Sequence, residues 1–229
     1  MSHIDLNDVD VDGAVREAEE AVATDTRATF FRKAAITGGT IGGAAMFSGM
    51  LPSVAAGAPS KRQDLAILKY ALTLEYLEAA FYKEAARDGG LQGQQLDAAR
   101  LLNADEQTHV TALRRTIRSL GSKVPSAPSF DFKGSNKGAA FLETAFVLEN
   151  VGVRAYLGQA GRLKSKALLA AAASIVTVEA RHAAAIALLL NPNAFQTGSK
   201  SISPSGSFDR ASSMKKILGE VTATGFITG

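Results

Sequence analysis

The chain contains no cysteine and no tryptophan. Without cysteine there is no disulfide, no zinc–thiolate site and no thiol nucleophile. That absence does not by itself decide the compartment. Aromatic residues are few, whereas Ala and Leu are abundant, a balance that suits helices better than sheets. Histidine is scarce as well. Only His3, His109 and His182 occur, so imidazole chemistry in a folded domain rests on two positions. The 229 residues are enough for one sizeable domain with a real core and tails to spare.

The net charge of +3 hides an asymmetry. Residues 1–58 carry eight acids against four bases, which leaves about +7 on the remainder. The bases there are scattered, few aromatics interleave them, and no nucleic-acid motif accompanies them. A soluble basic surface is the simpler reading.

Residues 34–58, AAITGGTIGGAAMFSGMLPSVAAGA, are uncharged and rich in small residues, with too many glycines for a good membrane helix. Before them stands TRATFFRK (26–33), which resembles the twin-arginine export signal. Thr26, Arg27, Phe30, Phe31 and Arg32 match, and Ala28 stands where the second arginine belongs. Ser53-Val54-Ala55 and Ala56-Gly57-Ala58 both fit a small-x-small cleavage site. The resemblance implies export to the periplasm, envelope or exterior, with no stable transmembrane span once the leader is removed. If the leader does not function, the expected location is cytoplasmic. Residues 1–58 are therefore set apart from a bundle at 59–191 and a tail at 192–229.

From Lys61 the pattern is helical. Four helices are expected, over 62–86, 94–120, 137–160 and 165–190. Their apolar stripes run through Leu68, Leu72 and Ala79; Leu102, Leu113 and Ile117; Leu142, Phe146 and Val153; and Ile175, Ile186 and Leu189. The first and third links are short and join antiparallel neighbours. The second link, about 121–136, can reach about 53 Å, more than the roughly 37 Å of a 25-residue helix. It can cross the whole bundle. The expected fold is all-α, an up-down-down-up four-helix bundle with one long crossover. A short C-terminal helix, capped by Asp209 and running through Met214 and Leu218, is expected in the tail.

Each stripe is interrupted by a glutamate near its middle. A carboxylate in a dry core costs several kcal/mol unless it is paired or bound to metal. Glu106 precedes His109 by three, and Glu179 precedes His182 by three. With eleven glutamates in the chain, one such match per histidine is expected about once in twenty. Glu75 and Glu149 each have a tyrosine seven residues on, Tyr82 and Tyr156, on the same face. Glu75 and Glu106 are 31 positions apart and Glu149 and Glu179 are 30 apart, so the two hairpins read as a diverged repeat.

This set of motifs resembles the ferritin-like dimetal carboxylate superfamily, which includes ferritins, rubrerythrins and manganese catalases. Within it, LKYALTLEYLEAAFY (68–82) resembles the desiccation-related branch. A glutamate from each of two helices plus a Glu-x-x-His from each of the other two makes a dimetal site. Glu75, Glu106, His109, Glu149, Glu179 and His182 are thus the expected ligands of two divalent ions. Carboxylate and imidazole suit iron or manganese, with zinc as the alternative. The resemblance implies oxygen, peroxide or ferroxidase-type chemistry in stress protection. The alternative is a non-enzymatic envelope protein in which metal only stabilises the bundle. The expected partners are metal ions and dioxygen or peroxide, with a homodimer left open.

The competing readings are plain ones. Glu78 rivals Glu75, but its equivalent on the third helix is Gly152, so the repeat favours Glu75 and leaves Glu78 as a supporting group or extra ligand. Tyr82 and Tyr156 are either core aromatics or hydrogen-bond donors to ligand carboxylates. Asp105 is read as solvated, with orientation of His109 as the alternative. Glu143 is placed on the rim, and Asn150, Arg154 and Arg181 at the surface or between helices.

Overall fold

The computed structural model describes residues 60–228. The leader and acidic segment assigned to 1–58 lie outside the described residues. The helices are α1 (Lys61–Asp88), α2 (Gly93–Ser119), α3 (Ala140–Ala160), α4 (Lys166–Leu190) and α5 (Met214–Thr224). Among the described residues there is no strand, only one isolated antiparallel bridge between Phe130 and Ile227.

Local chemistry sets the helix ends. Ser60, Ser165 and Ser213 each accept a hydrogen bond from a backbone N–H three residues on, satisfying donors that a helix start leaves orphaned. Gly121 ends α2 in a left-handed conformation (φ 74°) that other residues adopt at a cost. α3 begins at Ala140 rather than at 137, because Gly138 has φ 46° and cannot continue a right-handed helix. Ser213, not Asp209, caps α5. The backbone N–H of Ser212 is tied to the Arg154 carbonyl at 3.0 Å, so the chain is held against α3 until just before the helix starts.

The buried Asp64, in the first turn of α1, accepts from the backbone N–H groups of Lys164 (2.7 Å) and Ser165 (3.1 Å) in the turn between α3 and α4. The starts of α1 and α4 and the end of α3 therefore meet at one end of the bundle. The short link after α1 makes α2 antiparallel to it, which gives up-down-down-up. Helices pack most extensively within the hairpins α1–α2 and α3–α4. Residues 120–139 are the long crossover.

The C-terminal tail pins that crossover. Asp131 N–H donates to the Phe226 carbonyl (2.9 Å) and Thr228 N–H to Ser129 (3.0 Å). Phe132 is buried edge-on between Phe81 and Phe226, with ring centroids 5.4 Å apart in each pair. Ile217 and Val221 of α5 are buried, and Arg154 of α3 holds Glu220 with two hydrogen bonds. By length and composition α4 could cross a membrane. It is also the helix that buries Glu179 and His182.

Gly158 tests the docking of the tail. A Cβ there would lie 1.8 Å from the Ser212 carbonyl oxygen, whereas one at Gly161 would meet open space. Gly158→Ala is expected to destabilise by about 1–3 kcal/mol, as overpacking does, and Gly161→Ala to be near neutral. Equal melting temperatures for Gly158→Ala and the parent would show that the tail does not lie on α3.

Candidate metal centre

Helical spacing of three places Glu106 with His109 on α2, and Glu179 with His182 on α4, on one inward face. Glu75 on α1 and Glu149 on α3 complete the set. All four glutamates have 0% exposure, and His109 and His182 are buried. Apolar clusters lie on both sides. One surrounds Phe81, Tyr82 and Phe141, the other Leu72, Leu113 and Ile117.

His109 Nδ1 faces Glu106 Oε2 at 2.9 Å, Glu75 Oε2 at 3.2 Å and Glu179 Oε1 at 3.3 Å. His182 Nδ1 faces Glu106 Oε1 at 3.0 Å and Glu149 Oε2 at 3.4 Å. The ligand-type atoms fall into two groups, each within 4.8 Å. One is Glu75, Glu106, His109 and Glu179, and the other is Glu106, Glu149, Glu179 and His182. Glu106 and Glu179 belong to both. Each group thus has its own histidine and glutamate and shares two carboxylates with the other.

The donor set fits a pair of cations. Glu179 Oε2 is buried with no partner, while Glu106 Oε1, Glu149 Oε2, Glu179 Oε1 and His182 Nδ1 have only histidine–carboxylate approaches of 3.0–3.4 Å, none aligned as a hydrogen bond. Such orphaned atoms are costly in a protein-only core. Their chemistry, oxygen plus one imidazole nitrogen at each group, suits divalent metal ions.

The supporting contacts cross between hairpins. Tyr82 on α1 donates its hydroxyl to Glu149 Oε1 on α3 at 2.5 Å, and Tyr156 on α3 donates to Glu75 Oε1 on α1. Both tyrosines take the alternative role, and each serves the glutamate of the opposite hairpin rather than its own. Glu78 is buried beside them. A Cβ on Gly152 would come within 2.7 Å of Glu179 Oε2 and 3.3 Å of Glu78 Oε1, so the missing side chain at Gly152 is what admits both carboxylates. Asp105 keeps its side chain partly in solvent (42% exposed) but does not orient His109. Its carboxylate meets His182 Nε2 at 3.1 Å and so turns Nδ1 toward the centre. By the repeat, its counterpart is Val178, which offers no oxygen. Glu143 pairs with Lys200 at the rim and Arg154 with Glu220 of α5.

Burial shapes the protonation states without metal. Burial raises Glu75 to about 7 despite His109, and it also raises Glu78, Glu149 and Glu179. Glu106 goes the other way. Burial would raise it, but His109 and His182 together lower it to about 2. Burial would lower the imidazoles, but the surrounding carboxylates lift His109 to about 12 and His182 to about 11.

A four-helix bundle with one long crossover, holding two facing glutamates and two Glu-x-x-His pairs in its core, is the architecture of the dimetal carboxylate proteins. The sequence comparison narrows the class. Residues 63–192, more than half of the chain, match the family described as a ferritin-like domain, and the chain belongs to it. No curated protein matches the chain.

The sign of the pH dependence follows from these shifts. Glu75, His109 and His182 hold protons more tightly in the folded state, so the folded chain binds more protons than the unfolded one above about pH 4.5. Their stabilisation is complete below their unfolded pKa values. It is lost through about 7 for Glu75, and through about 11 and 12 for the histidines. Glu106 is lowered, so its contribution is lost as pH falls from about 4.5 through about 2. Urea melts of the metal-free protein are expected to shift to lower midpoints between pH 5 and pH 8. Added metal displaces these protons and should raise the midpoint most at pH 8. A metal-free midpoint that climbs over this range contradicts the assignment.

Proposed function

We propose that this protein is a dimetal oxidoreductase of the ferritin-like family. It would use two iron or manganese ions held by Glu75, Glu106, His109, Glu149, Glu179 and His182, in defence against oxidative or desiccation stress. The single observation that carries the reading is the sharing of Glu106 and Glu179 between two buried four-residue groups of metal-ligand type. Glu106 and Glu179, common to both groups, would help to hold both ions. Glu75 with His109, and Glu149 with His182, would each serve one. Four carboxylates balance the charge of two divalent cations, so the core becomes neutral when filled.

When bound, such a pair supplies electrons to dioxygen or peroxide and a Lewis-acidic place to bind them. The residues of the chain do the rest. Tyr82 and Tyr156 fix the rotamers of Glu149 and Glu75 through their hydroxyls, and both lie within reach of the carboxylate oxygens as proton donors. Asp105 holds the Nε2 proton of His182. The flanking apolar clusters exclude bulk water. The stress role rests on the resemblance of residues 68–82 to the desiccation-related branch. We also propose that the twin-arginine-like leader sends the folded, loaded protein out of the cytoplasm. A reporter fused to residues 1–58 should then stay inside cells that lack the folded-protein export route, and export that persists there rules the proposal out.

The functional test is anaerobic loading with ferrous or manganous ion, metal analysis, and then addition of oxygen or peroxide. The parent is expected to take up two ions per chain and to oxidise them. Glu106→Ala should lose both ions, and Glu75→Ala should weaken one preferentially. Uptake of two ions with higher stability but no oxidation, peroxidase or catalase turnover would favour the stapling reading instead. Fewer than one ion per chain would defeat both.

A further inference from the structure

The excess positive charge of the domain is gathered at one end of the bundle. Between the buried centre and the end where α1 and α4 start, the chain comprises residues 61–74, 107–124 and 150–178. These segments carry eleven Lys and Arg against one acid, Asp64. The rest of the described chain carries ten Lys and Arg against thirteen acids, so the two halves differ in sign. Asp64 does not offset the bases at the surface. It is buried, and both its oxygens accept from the backbone N–H groups of Lys164 and Ser165.

Six of the bases stand exposed around this end. They are Lys61 and Arg62 at the start of α1, Arg115 and Arg118 in the last turns of α2, and Lys164 and Lys166 where the chain turns into α4. Among the described residues the ion pairs of Arg and Lys lie elsewhere, at Arg87, Arg154 and Lys200. Helix stability does not account for the placing. Lys61 and Lys166 are the first residues of α1 and α4, where the helix dipole favours an acid. Cations of one sign crowded on one end also repel each other, whereas a surface serving solubility alone mixes both signs.

We infer that this end docks on an anionic lipid bilayer, with the six cations against the headgroups and Leu120 entering the headgroup layer. Three observations favour a bilayer over a nucleic acid. Leu120, at the C-cap of α2 between Arg118 and Lys123, is a large apolar side chain 46% exposed amid the cations. Such a tip has no use on a phosphate backbone, but it gains from leaving water at a bilayer surface. No aromatic residue of these segments is exposed, so none can stack on a base. The chain also reaches this end through residues 34–58, a run without a charge that stops just before Ser60. An apolar run leading into a basic surface is the order of residues found beside anionic headgroups. Docking does not depend on the metal centre.

The experiment is flotation of the full chain with phosphatidylcholine vesicles, with and without about 30% phosphatidylglycerol, beside duplex DNA binding in the same buffer. Binding is expected on the anionic vesicles only, falling at least tenfold between about 0.05 and 0.2 M salt as screening grows. Lys61→Glu with Lys166→Glu places acids at two helix starts, which keeps the fold. Each basic residue near such a surface is worth about fivefold in affinity, so this pair should weaken binding at least tenfold. Lys83→Glu with Lys137→Glu makes the same change of net charge at the opposite end and should leave binding within about twofold. Leu120→Ser should weaken lipid binding and leave any DNA binding as it was. Equal binding to neutral vesicles, equal losses in the two charge-reversed pairs, lipid binding unchanged in Leu120→Ser, or tighter binding to duplex DNA overturns the inference. Metal uptake without vesicle binding, or vesicle binding without metal uptake, separates it from the dimetal reading.

Discussion

Four glutamates with no solvent exposure converge from four helices on a space a few ångströms across, and a fifth, Glu78, lies beside them. Their mutual repulsion and lost hydration are strongly unfavourable. Protons on two histidines and on some of the carboxylates relieve part of this, which is why the imidazoles hold protons so tightly in the metal-free chain. Two divalent cations relieve it more completely. The apolar clusters on either side, the crossover and the tail can all be understood as the frame that keeps this concentration of charge in place. Phe132 and Phe226, for example, lock the crossover against α1 beside Phe81, one residue before Tyr82, whose hydroxyl holds Glu149.

The exchange of tyrosines gives the centre its internal symmetry. Tyr82 reaches from α1 to α3, and Tyr156 from α3 to α1. Each hairpin therefore positions a ligand of the other, and neither hairpin holds a complete group by itself. The symmetry is broken in two places. Glu78 on α1 faces Gly152 on α3, where the repeat would require a second carboxylate. Asp105 supports His182, whereas its counterpart in the sequence repeat is Val178, whose side chain has no oxygen. The two ends of the centre thus differ in charge and in hydrogen bonding, and two ions bound there would not be equivalent.

The parts of this arrangement that were legible in the sequence are those set by local periodicity. A Glu-x-x-His on an apolar stripe places both side chains on one face whatever the tertiary structure, so Glu106, His109, Glu179 and His182 could be read directly. Link lengths gave the hairpins and the crossover by the same kind of reasoning. The contacts that were not legible depend on how one hairpin sits against the other. Nothing in the spacing of Asp105 says that it will meet His182 rather than His109, because that contact spans 77 positions. The partners of Tyr82 and Tyr156 were hidden for the same reason. The start of α5 was misplaced because Asp209 and Ser213 are equally good caps in isolation. The anchoring of Ser212 on α3 decides between them.

The central claim is that two ions sit side by side and share Glu106 and Glu179. Anomalous diffraction from crystals of the iron- or manganese-loaded protein tests it most directly. The account predicts two peaks roughly 3.5–4 Å apart, both within bonding distance of Glu106 and Glu179, with His109 on one and His182 on the other. A single peak, or two peaks that share neither glutamate, would contradict it.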